Sequence, residues 1–126
     1  MYTFIITGGR NNNDVEKINA VIHGCYRASV AFGVNAVFYV GDCRKGVDKI
    51  AADAIINHKM IPVVFRANWR RFRRAAGPLR NRKMIDTAIN NAEPNDDIIL
   101  VAFAGGAGTA DCVSYAESKG IRILKY

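Results

Sequence analysis

The chain has 126 residues, half of them hydrophobic, which fits a single domain over residues 1–126 with a core that needs no disulfides. Eighteen basic against eleven acidic residues leave a formal charge of +7, a balance that suits an anionic partner. No apolar run approaches the ~20 residues of a membrane-spanning helix, and three cysteines (Cys25, Cys43, Cys112) without a C-x-x-C pair argue against a disulfide scaffold and a zinc site.

Met1-Tyr2-Thr3-Phe4 carries neither a basic leader nor a cleavage signal, so no signal peptide is expected, and the odd thiol count fits a reducing, cytoplasmic setting. Tyr2–Thr7 reads as a buried strand. Asn11–Asp14 is a turn that ends in a helix cap, and Val15, Ile18, Val21, Ile22 and Cys25 then recur at helical spacing to about Ala31. After the turn Gly33-Val34-Asn35 comes a second strand, Ala36–Val40. Lys45–His58 is a second helix with Val47, Ile50, Ala51, Ala54 and Ile55 as its inner stripe, and Ile61–Phe65 is a third strand. Ala67–Ala76 has no clear period and is strongly basic. Gly77-Pro78 opens a third long helix, proline being favoured in a first turn. The polar loop Glu93–Asp97 leads to a continuously apolar strand, Ile98–Phe103, as fully covered parallel strands are. Thr109–Lys119 is the last helix, and Ile121–Leu124 follows Gly120 as a short strand. This alternation implies an α/β fold, a five-stranded parallel sheet with helices on both faces. Phe4, Phe32, Phe38, Phe65 and Phe103 are expected in or beside its core.

In such a sheet all strands end on one edge, where ligands bind. Glycine-bearing turns follow four of the apolar strands: Gly8-Gly9-Arg10, Gly41 to Gly46, Gly77-Pro78, and Gly105-Gly106-Ala107-Gly108-Thr109. Glycines there let backbone N–H groups approach an anion closely, which points to a phosphate-bearing small ligand. The last turn joins a strand to a helix N-terminus, an anion-binding corner in which Thr109 either caps the helix or donates its hydroxyl to phosphate. Asp111 falls near that helix start. The helix dipole explains an acid there, and a catalytic role is the alternative.

The third long helix carries Arg80, Arg82 and Lys83 near its start, where cations face the positive end of the dipole; that placement makes sense if an anion is held there. Arg80 is suited to grip a phosphate bidentately, with Lys83 one turn on. Arg10 is placed for phosphate or base contact, or is simply exposed on a glycine turn. Asp48 either caps the second helix or accepts a hydrogen bond from a ribose hydroxyl. Between Asp53 and Asp86 there is no acid, yet Arg66, Arg70, Arg71, Arg73 and Arg74 lie there with the only tryptophan, Trp69, which either stacks a nucleobase or anchors its loop. His23 and His58 fall far from the glycine edge, and no metal cluster or cofactor signature stands out.

Together these residues resemble the SLOG superfamily, and within it the YspA-like branch. The resemblance is carried by Gly8-Gly9-Arg10, Gly46-Val47-Asp48, Trp69, Ala76-Gly77-Pro78-Leu79-Arg80-Asn81-Arg82-Lys83-Met84 and Phe103-Ala104-Gly105-Gly106-Ala107-Gly108-Thr109-Ala110-Asp111. It implies a Rossmann-like fold that binds nucleotides or nucleotide-derived molecules, with Asn81 among the ligand-binding residues. One SLOG branch, the Lonely Guy phosphoribohydrolases, cleaves the N-glycosidic bond of nucleoside 5′-monophosphates through Pro-Gly-Gly-x-Gly-Thr-x-x-Glu. Here Ala104 replaces the proline and Cys112 stands where the catalytic glutamate would be, while Arg82-Lys83 resembles the branch's basic pair.

Three functions follow as expectations. The first is binding, as sensor or sink, of a nucleotide-derived molecule such as a second messenger; a sink would suit a phage or mobile-element product. The second is a phosphoribohydrolase with Asp111 or Asp48 as its carboxylate. The third is single-stranded nucleic-acid binding through Trp69–Arg74. A homo-oligomer without membrane association is expected, as relatives commonly dimerise.

Overall fold

Tyr2–Thr7 forms β1 because it is an unbroken run of β-branched and aromatic side chains that can be buried on both sides; Thr3 to Thr7 are all buried. A computed structural model describes residues 1–126. The elements run β1, α1 (Val15–Ala31), β2 (Ala36–Gly41), α2 (Gly46–Asn57), β3 (Val63–Phe65), α3 (Trp69–Phe72), a 3₁₀ turn (Arg73–Ala75), α4 (Ala76–Asn91), β4 (Asp97–Ala102), α5 (Ala107–Ser118) and β5 (Arg122–Lys125). All strand pairings are parallel and the order is β3-β2-β1-β4-β5. This is a Rossmann-like α/β fold. Its connections reverse direction between β1 and β4, the topological switch point at whose carboxyl edge open α/β sheets bind ligands.

Register explains the two cores. Phe4 lies opposite Phe38 and Ile99, while Ile5 lies opposite Tyr39 and Leu100. Successive side chains point to opposite faces, so each row meets a different helix pair. The first row packs with Ile18, Ile22 and Cys25 of α1 and with Val47, Ala51 and Ile55 of α2. The second packs with Met84, Ile85 and Ala88 of α4 and with Cys112 and Ala116 of α5. Burying each large apolar side chain of this kind contributes about 1.5–3 kcal/mol.

The structure departs from expectation at the periphery. β3 is two residues shorter than the apolar run Ile61–Phe65, because Ile61 is 89 % exposed and Pro62 has no N–H for the ladder. Within Ala67–Ala76 a single helical turn forms, capped by Asn68, whose side-chain oxygen accepts the Arg71 N–H at 3.1 Å. Phe32 is not core: it caps α1, is exposed, and meets Tyr2 edge-on at 6.4 Å. No helix is long and apolar enough to cross a membrane.

Candidate functional site

The loops after β1, β2, β3 and β4 converge on a cleft of about 1440 Å³ at the carboxyl edge of the sheet. Backbone contacts lock three of these loops together. The Gly9 N–H and the Asn12 side-chain amide both donate to the Ala104 carbonyl, at 3.0 and 3.1 Å. The Gly9 carbonyl accepts from the N–H groups of Asn12 and Val47, both at 3.2 Å. This packing leaves no room for a Cβ at Gly8, Gly41, Gly46 or Gly105: at Gly105 it would lie 2.6 Å from the Gly9 nitrogen and overlap the Thr109 hydroxyl, and at Gly8 and Gly41 it would meet Val47 and the Asp48–Arg80 pair. These glycines are explained by loop-on-loop packing.

Gly106 and Gly108 differ. Nothing lies within 4 Å of where their Cβ atoms would be, so the space above the first turn of α5 is open. Gly106 occupies the N-cap and supplies no capping side chain. The first N–H groups of α5 therefore have no intrahelical acceptor, and an anion at this end is stabilised. Since α5 begins at Ala107, Thr109 lies inside the helix and does not cap it.

Charges in the cleft divide sharply. Arg10, Lys17, Arg44, Lys45 and Arg74 line it and form no ion pair. Each lining acid is engaged. Asp14 caps α1 by accepting the Lys17 N–H at 3.2 Å. Asp42 accepts Arg80 Nη1 at 2.7 Å and the Ala67 N–H at 3.2 Å. Asp48 accepts the Cys43 N–H at 3.2 Å and lies 3.9 Å from Arg80 Nη2. It is the third residue of α2, so it does not occupy the cap position, which falls to Lys45. Asp111 receives Arg82 through two nitrogens, at 2.6 and 3.2 Å.

Arg80 thus points inward, as an anion grip requires, with only 9 % of its side chain exposed. Its guanidinium is already shared among Asp42, Asp48 and Asn81, whose side-chain oxygen accepts Nε–H at 2.8 Å. Arg82 neutralises Asp111 and lies over the Tyr115 ring, and Lys83 is exposed and outside the cleft lining. Trp69, 45 % exposed, borders the cleft; Arg10 sits 5.4 Å from its ring centroid, and the indole edge rests against Gly77. The anchoring reading of Trp69 has a counterpart here: its edge holds the loop against Gly77, and Arg10 lies over its ring. Gly41 lies behind the cleft wall, in a smaller adjoining cavity.

The acids have opposite proton affinities. Burial pushes the Asp48 carboxyl above the ordinary carboxylate value, and Arg80 and the Cys43 N–H pull it back only part of the way. Hydrogen bonding from Arg82 holds Asp111 below that value. Asp48 therefore takes up a proton more readily in the folded than in the unfolded chain. Its charge opposes folding above the raised pKa; this penalty fades as pH falls through that raised value and is gone below the unfolded value of about 3.9. Asp48→Asn is expected to be more stable than the parent at pH 7, with the margin shrinking at pH 3, by urea denaturation. A variant less stable at pH 7 would mean that pairing with Arg80 outweighs burial. Asp111 works in reverse: it supports the fold above its unfolded pKa, and that support is lost as pH falls through its lowered one.

Cys112 is fully buried, and burial pushes its thiol up to about 11, so it is inert in the core beneath the cleft. Cys43 is unpaired, half-buried and lines the cleft. The lining also includes Asn12, Lys17, Arg44 and Lys45, which the motifs did not single out, and Arg74 from the basic run Trp69–Arg74. Lys17 was within reach of inference, because the first turn of any helix following β1 sits at the same edge. No protein-family model matches the chain, and no curated protein matches it either.

Proposed function

We propose that this protein holds a nucleotide-derived, phosphate-bearing small molecule in the cleft, as a sensor or a sequestering protein. One observation carries the reading: five cations without carboxylate partners share a cleft with an uncapped helix start that two glycines leave open. Fixed N–H dipoles and mobile cations are the two elements of phosphate recognition. The half-exposed Trp69, with Arg10 over its ring, adds an aromatic–arginine pair with which a base can stack.

The test is thermal stabilisation by mono-, di- and cyclic nucleotides. A ligand at about 100 times its Kd adds about 2.7 kcal/mol. Gly108→Leu is expected to abolish the shift by filling the open space, while the unliganded protein keeps its stability, since leucine is the better helix former. No shift with any nucleotide would overturn the reading, and oligonucleotide binding that falls steeply with salt would transfer the assignment to the basic arm Trp69–Arg74.

A second reading, cleavage of an N-glycosidic bond in nucleoside 5′-monophosphates, is favoured by the raised proton affinity of Asp48 inside the cleft, the property a general acid needs to protonate a departing base. Release of free base on incubation, abolished by Asp48→Asn, would support cleavage over holding.

A further inference from the structure

The cleft does not end at the loop after β2. A second cavity of about 590 Å³ adjoins it, and Asp42, Cys43, Arg44 and Asp48 line both. The loop is therefore a ridge with ligand space on either side. Beyond the ridge, Ala52 and Val64 supply an apolar surface, Val64 being 49 % exposed. Arg66 and Arg44 flank it, and neither forms an ion pair. The remaining cation there, Lys49, is held by Asp53 at 3.0 Å. The two acids of this cavity, Asp42 and Asp48, are the ones that share Arg80, so its free charge is positive. Sites for single drug-sized ligands span about 300–1,000 Å³, and the main cleft alone exceeds this range.

We infer that the ligand is a dinucleotide that straddles the ridge. This rests on the nucleotide reading of the main cleft. One unit places its phosphate at the start of α5. The other crosses the loop after β2, lays its sugar or base on Ala52 and Val64, and sets its phosphate between Arg44 and Arg66. A mononucleotide would occupy the main cleft alone and leave the positive charge of the second cavity unanswered.

Arg66 separates the two cases, because it lines the second cavity, does not line the first, and is exposed without a partner. Calorimetric titrations would compare AMP and GMP with their linear 5′-phosphorylated dinucleotides and with cyclic di-AMP and cyclic di-GMP. The proteins would be the parent chain, Arg66→Ala and Arg66→Lys. At least one dinucleotide is expected to bind about tenfold or more tightly than its mononucleotide, the scale of one charge-assisted hydrogen bond. Arg66→Ala should remove that advantage and leave mononucleotide affinity unchanged, and Arg66→Lys should restore part of it. Equal affinity for mono- and dinucleotides would overturn the inference, as would a dinucleotide affinity indifferent to Arg66→Ala; the nucleotide reading would survive either result. Failure of every probe to bind at millimolar concentration would overturn both.

Discussion

Gly46→Ala is expected to lower the unfolding free energy by about 2–5 kcal/mol, the sum of a left-handed backbone penalty and of overpacking. Gly46 has φ +70°, a conformation that costs any residue with a Cβ. The added methyl would also lie 2.5 Å from the carbonyl carbon and oxygen of Arg10 and from the Gly9 oxygen. All three are main-chain atoms, so no side-chain rotation relieves the clash. The loop after β1 must move, and it moves against its own anchors: the Val47 N–H to Gly9 carbonyl bond and the two donors on Ala104. The cleft would lose the placement of Arg10 along with stability. Gly24→Ala is the matched control. Gly24 lies inside α1, has an ordinary φ and nothing within 4 Å, so alanine there should add about 0.5–1 kcal/mol. Urea denaturation of both variants checks the pair. A Gly46→Ala protein within 1 kcal/mol of the parent would show that the three loops are not locked as described.

What the residues disclosed on their own follows the range of the forces involved. β1 and β4 were legible because strands buried on both faces must be continuously apolar, and α1 because Asp14 caps it and its apolar residues repeat at helical spacing. The carboxyl-edge location of the site followed from parallel topology alone. The edge of the sheet was less legible: Ile61, Val63 and Val64 are apolar yet exposed, so hydrophobicity overstated the length of β3. The one-turn α3 escaped because four residues cannot display a period, though Asn68 was a readable cap. Least accessible were the charge partners. Arg80 reaches Asp42 and Arg82 reaches Asp111 across 38 and 29 residues of sequence. Only the docking of α4 beside the loop after β2 and against α5 makes these pairs. A cation at a helix start looks unsatisfied until the tertiary structure supplies its carboxylate. Hence the free cations of the cleft lie mostly outside the motif that first suggested an anion.

Arg80→Ala is expected to cost about 2–3 kcal/mol of stability, because it strands two carboxylates in a part-buried site. Arg73→Ala, at an exposed and unpaired arginine, should change stability by less than about 0.5 kcal/mol. Ligand binding should follow the same order for an electrostatic reason. With Arg80 in place, one of the two negative charges of Asp42 and Asp48 is cancelled, and the free cations of the cleft outweigh the other. Without it, two uncompensated acids face the same space and repel phosphate. Two roles then make different predictions. If Arg80 acts by neutralising these acids, adding Asp42→Asn and Asp48→Asn to Arg80→Ala recovers both stability and nucleotide binding. If its guanidinium grips the phosphate directly, the triple variant recovers stability but not binding. The geometry favours neutralisation, since Nη1 lies 2.7 Å from Asp42, Nη2 lies 3.9 Å from Asp48 and Nε donates to Asn81 at 2.8 Å, so each guanidinium nitrogen already faces a protein oxygen. Equal binding losses for Arg80→Ala and Arg73→Ala would place the anion away from α4 altogether, on the open corner of Gly106 and Gly108.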